Sequence, residues 1–192
     1  MIKNRVNVII PILSLFLLST ALIQTSYSQP TQDFSTSPSA SKYATAREQF
    51  LKVWDTLEFQ PVVATFVNAS SRIATGVYQE HSNVFAPGET ILLYLQPIGF
   101  GAKEIQGPKG EKSYLINFTA DVALSRGGEI LASAANLGGV QIISHIHNTE
   151  LFTTVSVTQT NPFPTGDYSI KYTLNDKITG KKFELTKNIT IA

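Results

Sequence analysis

The chain contains no cysteine. Disulfides and thiolate chemistry are therefore excluded, and the fold must be held by its core alone. Clusters of basic residues are missing too. The 192 residues carry 15 Lys and Arg against 14 Asp and Glu, and residues 1–28 hold only Lys3 and Arg5 of these, so the remainder sits near neutrality. Such a chain gives no electrostatic basis for nucleic acid or an anionic membrane as a partner. Hydrolase signatures are also lacking: there is no Gly-x-Ser-x-Gly elbow and no His-Glu-x-x-His pair. Gly99-Phe100-Gly101 is not followed by the Lys-Ser/Thr pair of a phosphate loop, and is expected instead to be a mobile loop and a first choice of partner surface. No cofactor is expected.

What is present begins with two cations, an uncharged apolar run from Val6 to Ile23, and small residues at Ser26 and Ser28. Residues 1–28 thus have the three parts of a secretory signal peptide, which places the rest of the chain outside the cytoplasm, secreted or at the cell surface. A membrane enters only if this segment is not cleaved and acts as an anchor. Residues 29–40, rich in Ser, Thr, Pro and Gln, read as a flexible linker. From Ser41 to Glu58 the residues Tyr43, Ala46, Phe50, Val53, Trp54 and Leu57 recur every three or four positions, which predicts one amphipathic helix, capped by Ser41 and packed on the following domain. The single tryptophan, Trp54, lies in that stripe and is assigned a structural role.

Past Pro61 the pattern changes to short β-prone runs separated by turn residues. The expected strands are Val62–Val67, Arg72–Gln79, Thr90–Gln96, Lys112–Leu124, Ile130–Ala134, Val140–His147 and Phe152–Gln159, followed by a closing hairpin over 168–191. The hairpin is the clearest of these. Tyr168, Ile170, Tyr172 and Leu174 alternate with polar residues, and Phe183, Leu185, Ile189 and Ile191 resume the alternation, broken only by Lys187. Pro164, Gly166 and Tyr168 have the spacing of a tyrosine corner, in which a phenol bonds back to the backbone. With a single helix available for crossovers, the fold class expected over 62–192 is all-β: an antiparallel Ig-like Greek-key sandwich of seven to nine strands.

Two stretches, FAPGETILLYLQPIGF at 85–100 and the Gly166-Asp-Tyr-Ser-Ile-Lys-Tyr-Thr-Leu-Asn-Asp-Lys run, resemble a group of exported prokaryotic Ig-like β-sandwich domains of unassigned function. The resemblance covers about 62–192. It implies fold and compartment, and no catalytic residue comes with it.

Candidate sites follow from residue type and spacing. His145 and His147, two apart in a predicted strand, would share a face and could hold one metal ion, with Glu150 or Glu80 completing the set. Asn68, Asn117 and Asn188 head Asn-x-Ser/Thr triplets and are glycosylation candidates. No catalytic residue is assigned. The expected class is a non-catalytic extracytoplasmic module of the cell envelope or secreted space, binding an unknown protein or carbohydrate. The alternatives are a metal-dependent protein using His145 and His147, or an accessory subunit pairing through a sheet edge.

Overall fold

The computed structural model describes residues 37–107 and 110–192. The signal-like segment and most of the expected linker lie outside these residues. The chain divides between Thr56 and Leu57 into two compact units.

The first unit contains α1, Pro38–Trp54. It starts three residues before the expected Ser41, because Ser37 provides a better cap. The Ser37 hydroxyl accepts the Ala40 N–H at 3.0 Å, and Pro38 takes the first turn, where a missing N–H costs nothing. Residues 38–40, expected as linker, are thus helical. Glu48 and Lys52 pair at 2.9 Å on the solvent side. Of the expected apolar stripe, Trp54 is buried, with its ring 5.9 Å from that of Phe50, whereas Tyr43, Phe50 and Val53 are exposed.

The second unit is all-β. Its strands are β1 (Gln60–Phe66), β2 (Val84–Phe85), β3 (Ile91–Ile98), β4 (Lys103–Gln106), β5 (Lys112–Arg126), β6 (Glu129–Ser144), β7 (Thr153–Val157), β8 (Gly166–Asp176) and β9 (Lys182–Ile191). One sheet is antiparallel, in the order β1-β3-β7. The larger sheet runs β2-β9-β8-β5-β4, with β6 also paired to β5, and is mixed because β2 lies parallel to β9. Along one side of β5, β4 takes Lys112–Leu115 and β8 takes Phe118–Ser125. Along the other side, β6 pairs from Tyr114 to Arg126.

Period-two alternation explains the core. Ile116, Phe118, Val122 and Leu124 of β5 face inward with Tyr168, Ile170, Tyr172 and Leu174 of β8 and Ile189 and Ile191 of β9. Ile91, Leu93 and Leu95 of β3 are also fully buried. Each such side chain contributes about 1.5–3 kcal/mol by removal from water. Lys187, which broke the alternation in sequence, sits opposite Ile170, and its ammonium reaches the Ala64 carbonyl of β1 at 2.6 Å. The charged end thus bridges the two sheets.

Three expected strands differ in the structure. Residues 72–79 form a loop, held by isolated bridges between Val67 and Glu80 and between Ala74 and Val77. This loop lays Ile73 and Tyr78 over Tyr94, whose hydroxyl accepts the Gly76 N–H at 3.0 Å, so both faces of β3 are covered. The expected strands Ile130–Ala134 and Val140–His147 are one strand, β6, which bulges on either side of Leu137 instead of turning.

Candidate functional site

At the end of the large sheet where β5 turns into β6, a cleft of about 430 Å³ opens on the sheet's outer face. The β8–β9 hairpin supplies most of it. Antiparallel register sets Asp167 opposite Thr190 and Ser169 opposite Asn188, on the face away from the core. Both pairs close across the strands: the Thr190 hydroxyl donates to the Asp167 carboxylate at 2.7 Å, and the Ser169 hydroxyl donates to the Asn188 side-chain oxygen at 2.7 Å. Ser125 of β5 donates to the Ser169 carbonyl at 3.3 Å, and Asn83, just before β2, donates to the Asn188 carbonyl at 3.4 Å. The Gly127–Gly128 turn forms the far wall.

The cleft rests on the corner around Tyr168. Its ring is buried, and its hydroxyl donates to the Pro164 carbonyl four residues back at 2.7 Å. Arg126, the last residue of β5, lies 5.1 Å above that ring and donates to the Tyr168 hydroxyl at 3.4 Å and to the Thr165 carbonyl at 2.9 Å. Gly166 has φ 136°, and a Cβ there would collide with the Arg126 guanidinium. Only glycine lets the corner and the arginine close on each other.

Chemically the cleft is a set of hydroxyls and amides around one carboxylate. No histidine lines it. The Ser169 hydroxyl is spent as a donor to a neutral amide oxygen, which does not activate it as a nucleophile.

The histidine pair lies elsewhere. β6 ends at Ser144, whose partner Tyr114 is the last in the ladder, so the alternation expected to align His145 with His147 does not extend to them. The His145 Nδ1 is 3.4 Å from the Ser113 hydroxyl, and the His147 ring stacks on Tyr114 at 5.4 Å. His81 is bound to Glu89 at 3.1 Å and stacked on Phe85 at 4.6 Å. Among the described residues, no group of three or more His, Cys, Asp or Glu side chains comes together to hold a metal ion.

The three sequons occupy different settings. Asn188 is exposed within the cleft. Asn117 is half-buried on the outer face of β5, opposite Gln141. The side-chain oxygen of Asn68 accepts both the N–H and the hydroxyl of Ser70, at 3.0 and 2.7 Å. Gly99–Gly101, expected as a mobile loop, is packed: Phe100 is buried, and the Gly101 N–H donates to Asp176 at 2.8 Å.

Sequence reasoning gave no site role to Asp167, Ser169 or Thr190. The signal was available, because these polar residues alternate with the apolar set of the hairpin and must share its outer face. Their convergence with Ser125 and the Gly127–Gly128 turn depends on β5 pairing with β8, a contact between distant parts of the chain. Compared with protein-family models and with curated proteins, the chain matches none.

Proposed function

We propose that the chain is a non-catalytic binding module of the extracytoplasmic space, an Ig-like Greek-key sandwich of seven to nine strands that takes a carbohydrate in the cleft between the β5–β6 turn and the β8–β9 hairpin. The cleft's chemistry carries this reading. Paired hydroxyls and amides with a single carboxylate can exchange hydrogen bonds with a neutral, hydroxyl-rich ligand, and they offer no relay from a hydroxyl to a base of matched strength. The Ig-like topology is supported by the Tyr168 corner on a two-sheet all-β unit. The signal-like N-terminus supports the compartment.

The test is calorimetric titration of the purified chain with a panel of neutral oligosaccharides, alongside Asp167→Asn and Ser169→Ala. Binding by the parent chain, weakened about tenfold or more in each variant, is the expected result. No binding at millimolar saccharide would overturn the carbohydrate assignment, and turnover of a bound saccharide would overturn the non-catalytic one.

A further inference from the structure

We infer that Asn188 carries an N-linked glycan whose first sugars lie in the cleft and close it to free saccharide. This rests on the cleft being a carbohydrate site and on the chain being exported.

Strand period and burial single out this triplet among the three. Along β9 the side chains of Asn188 and Thr190 line the cleft on the outer face, while Ile189 between them is buried in the core. Asn188 is exposed, so the acceptor amide and the hydroxyl of its triplet are reached from one side. The other two triplets are less open. Asn117 is half-buried, and the Thr119 hydroxyl of its triplet is buried. Asn68 is half-buried too, and its triplet closes on itself through the two bonds from Ser70.

The Asn188 amide is already oriented. The Ser169 hydroxyl holds its oxygen at 2.7 Å, and because oxygen and nitrogen branch from one planar carbon, Nδ2 is turned away from Ser169. Among the described residues Nδ2 donates to no group. A glycan replaces one Nδ2 proton and leaves the oxygen as it was. The bond from Ser169 to Asn188 and the bond from Thr190 to Asp167 at 2.7 Å therefore both survive the modification.

The transfer forms a bond from Nδ2 to the anomeric carbon of an oligosaccharide carried on a lipid phosphate, a donor supplied by the host outside the cytoplasm. The bond from that carbon to the phosphate oxygen breaks. The lipid phosphate leaves with the bonding pair, and the amide proton passes to solvent. Once attached, the first sugars stand beside Ser125, Asp167 and Ser169, which offer hydrogen bonds to their hydroxyls. A tethered group meets such partners at an effective concentration on the order of millimolar, so weak contacts suffice to seat it and a free saccharide must displace it.

The test is to produce the full chain in a cell that N-glycosylates its exported proteins, and in parallel in one that does not. Tryptic cleavage separates the three triplets, and mass spectrometry should find a saccharide on the peptide that holds Asn188. Asn188→Gln should abolish the added mass, whereas Thr190→Ser, which keeps the hydroxyl of the triplet, should retain it. Calorimetric titration should show the glycosylated chain binding a free neutral oligosaccharide about tenfold or more weakly than the unmodified chain does. An exported chain with bare Asn188 would overturn the inference alone, and a chain kept in the cytoplasm would overturn the assigned compartment with it. A glycan on Asn188 that leaves saccharide affinity unchanged would overturn its place in the cleft. Glycosylated Asn188 together with an unmodified chain that binds no saccharide would support the modification and overturn the carbohydrate reading beneath it.

Discussion

At the scale of single residues, two tyrosines on one strand separate the effect of a partner from that of burial. Tyr168 and Tyr172 are both buried on β8, but the Tyr168 hydroxyl donates to Pro164 whereas, among the described residues, the Tyr172 hydroxyl has no hydrogen-bond partner. Burial pushes the Tyr172 phenol well above its ordinary pKa and keeps it neutral. Tyr168→Phe should lower stability by about 1 kcal/mol in a urea melt, the usual net worth of one hydrogen bond, while Tyr172→Phe should be neutral or stabilising because it removes a desolvated hydroxyl. Equal losses in the two variants would contradict this account. Asp121 makes a pH-dependent contribution. The backbone N–H of Asn136 and the amide of Asn175 donate to its carboxylate and hold its pKa below the ordinary value. The folded state therefore binds that proton less readily than the unfolded chain. The stabilisation is complete above the unfolded value of about 4 and is lost as pH falls through the lowered one. Asp121→Asn should melt below the parent at pH 7, and thermal melts at descending pH should show the gap closing as the parent's carboxylate takes up its proton.

At the scale of elements, what could be read from sequence was what local alternation and turn chemistry decide. The β8–β9 hairpin and β5 with its Gly127–Gly128 turn were legible because each strand buries one face and each turn carries its own residues. The loop over 72–79 was not, because its β-branched and aromatic residues are those a strand favours, yet Ile73 and Tyr78 cover the outer face of β3, a partner remote in sequence. β6 was divided over 135–139, where Gly138 and Gly139, which usually signal a turn, instead lie in a bulge, and Asn136, held by Asp121 and Lys177, lies in another. β2 and β4, with two and four residues, were too short to show a period. The corner at Gly99 was also hidden, since its constraint comes from the chain ahead of β1. Gly99 has φ 69°, and a Cβ there would collide with the carbonyl oxygen of Glu58. Gly99→Ala should therefore lower the midpoint of denaturant unfolding by several times what an exposed Gly110→Ala does, even though φ is positive at both positions.

At the scale of the molecule, the large sheet gives its inner face to the core and leaves the polar cleft on its outer face. The cleft was half legible: the hairpin's outer residues are readable from alternation, but the pairing of β5 with β8 that adds Ser125 and the Gly127–Gly128 turn is not. The measurement closest to the central claim follows backbone amide resonances of the ¹⁵N-labelled chain during titration with a neutral oligosaccharide. Saturable shifts concentrated in residues 167–169, 188–190 and the Gly127–Gly128 turn are the predicted result. Shifts confined to other parts of the fold, or none at millimolar saccharide, would contradict it.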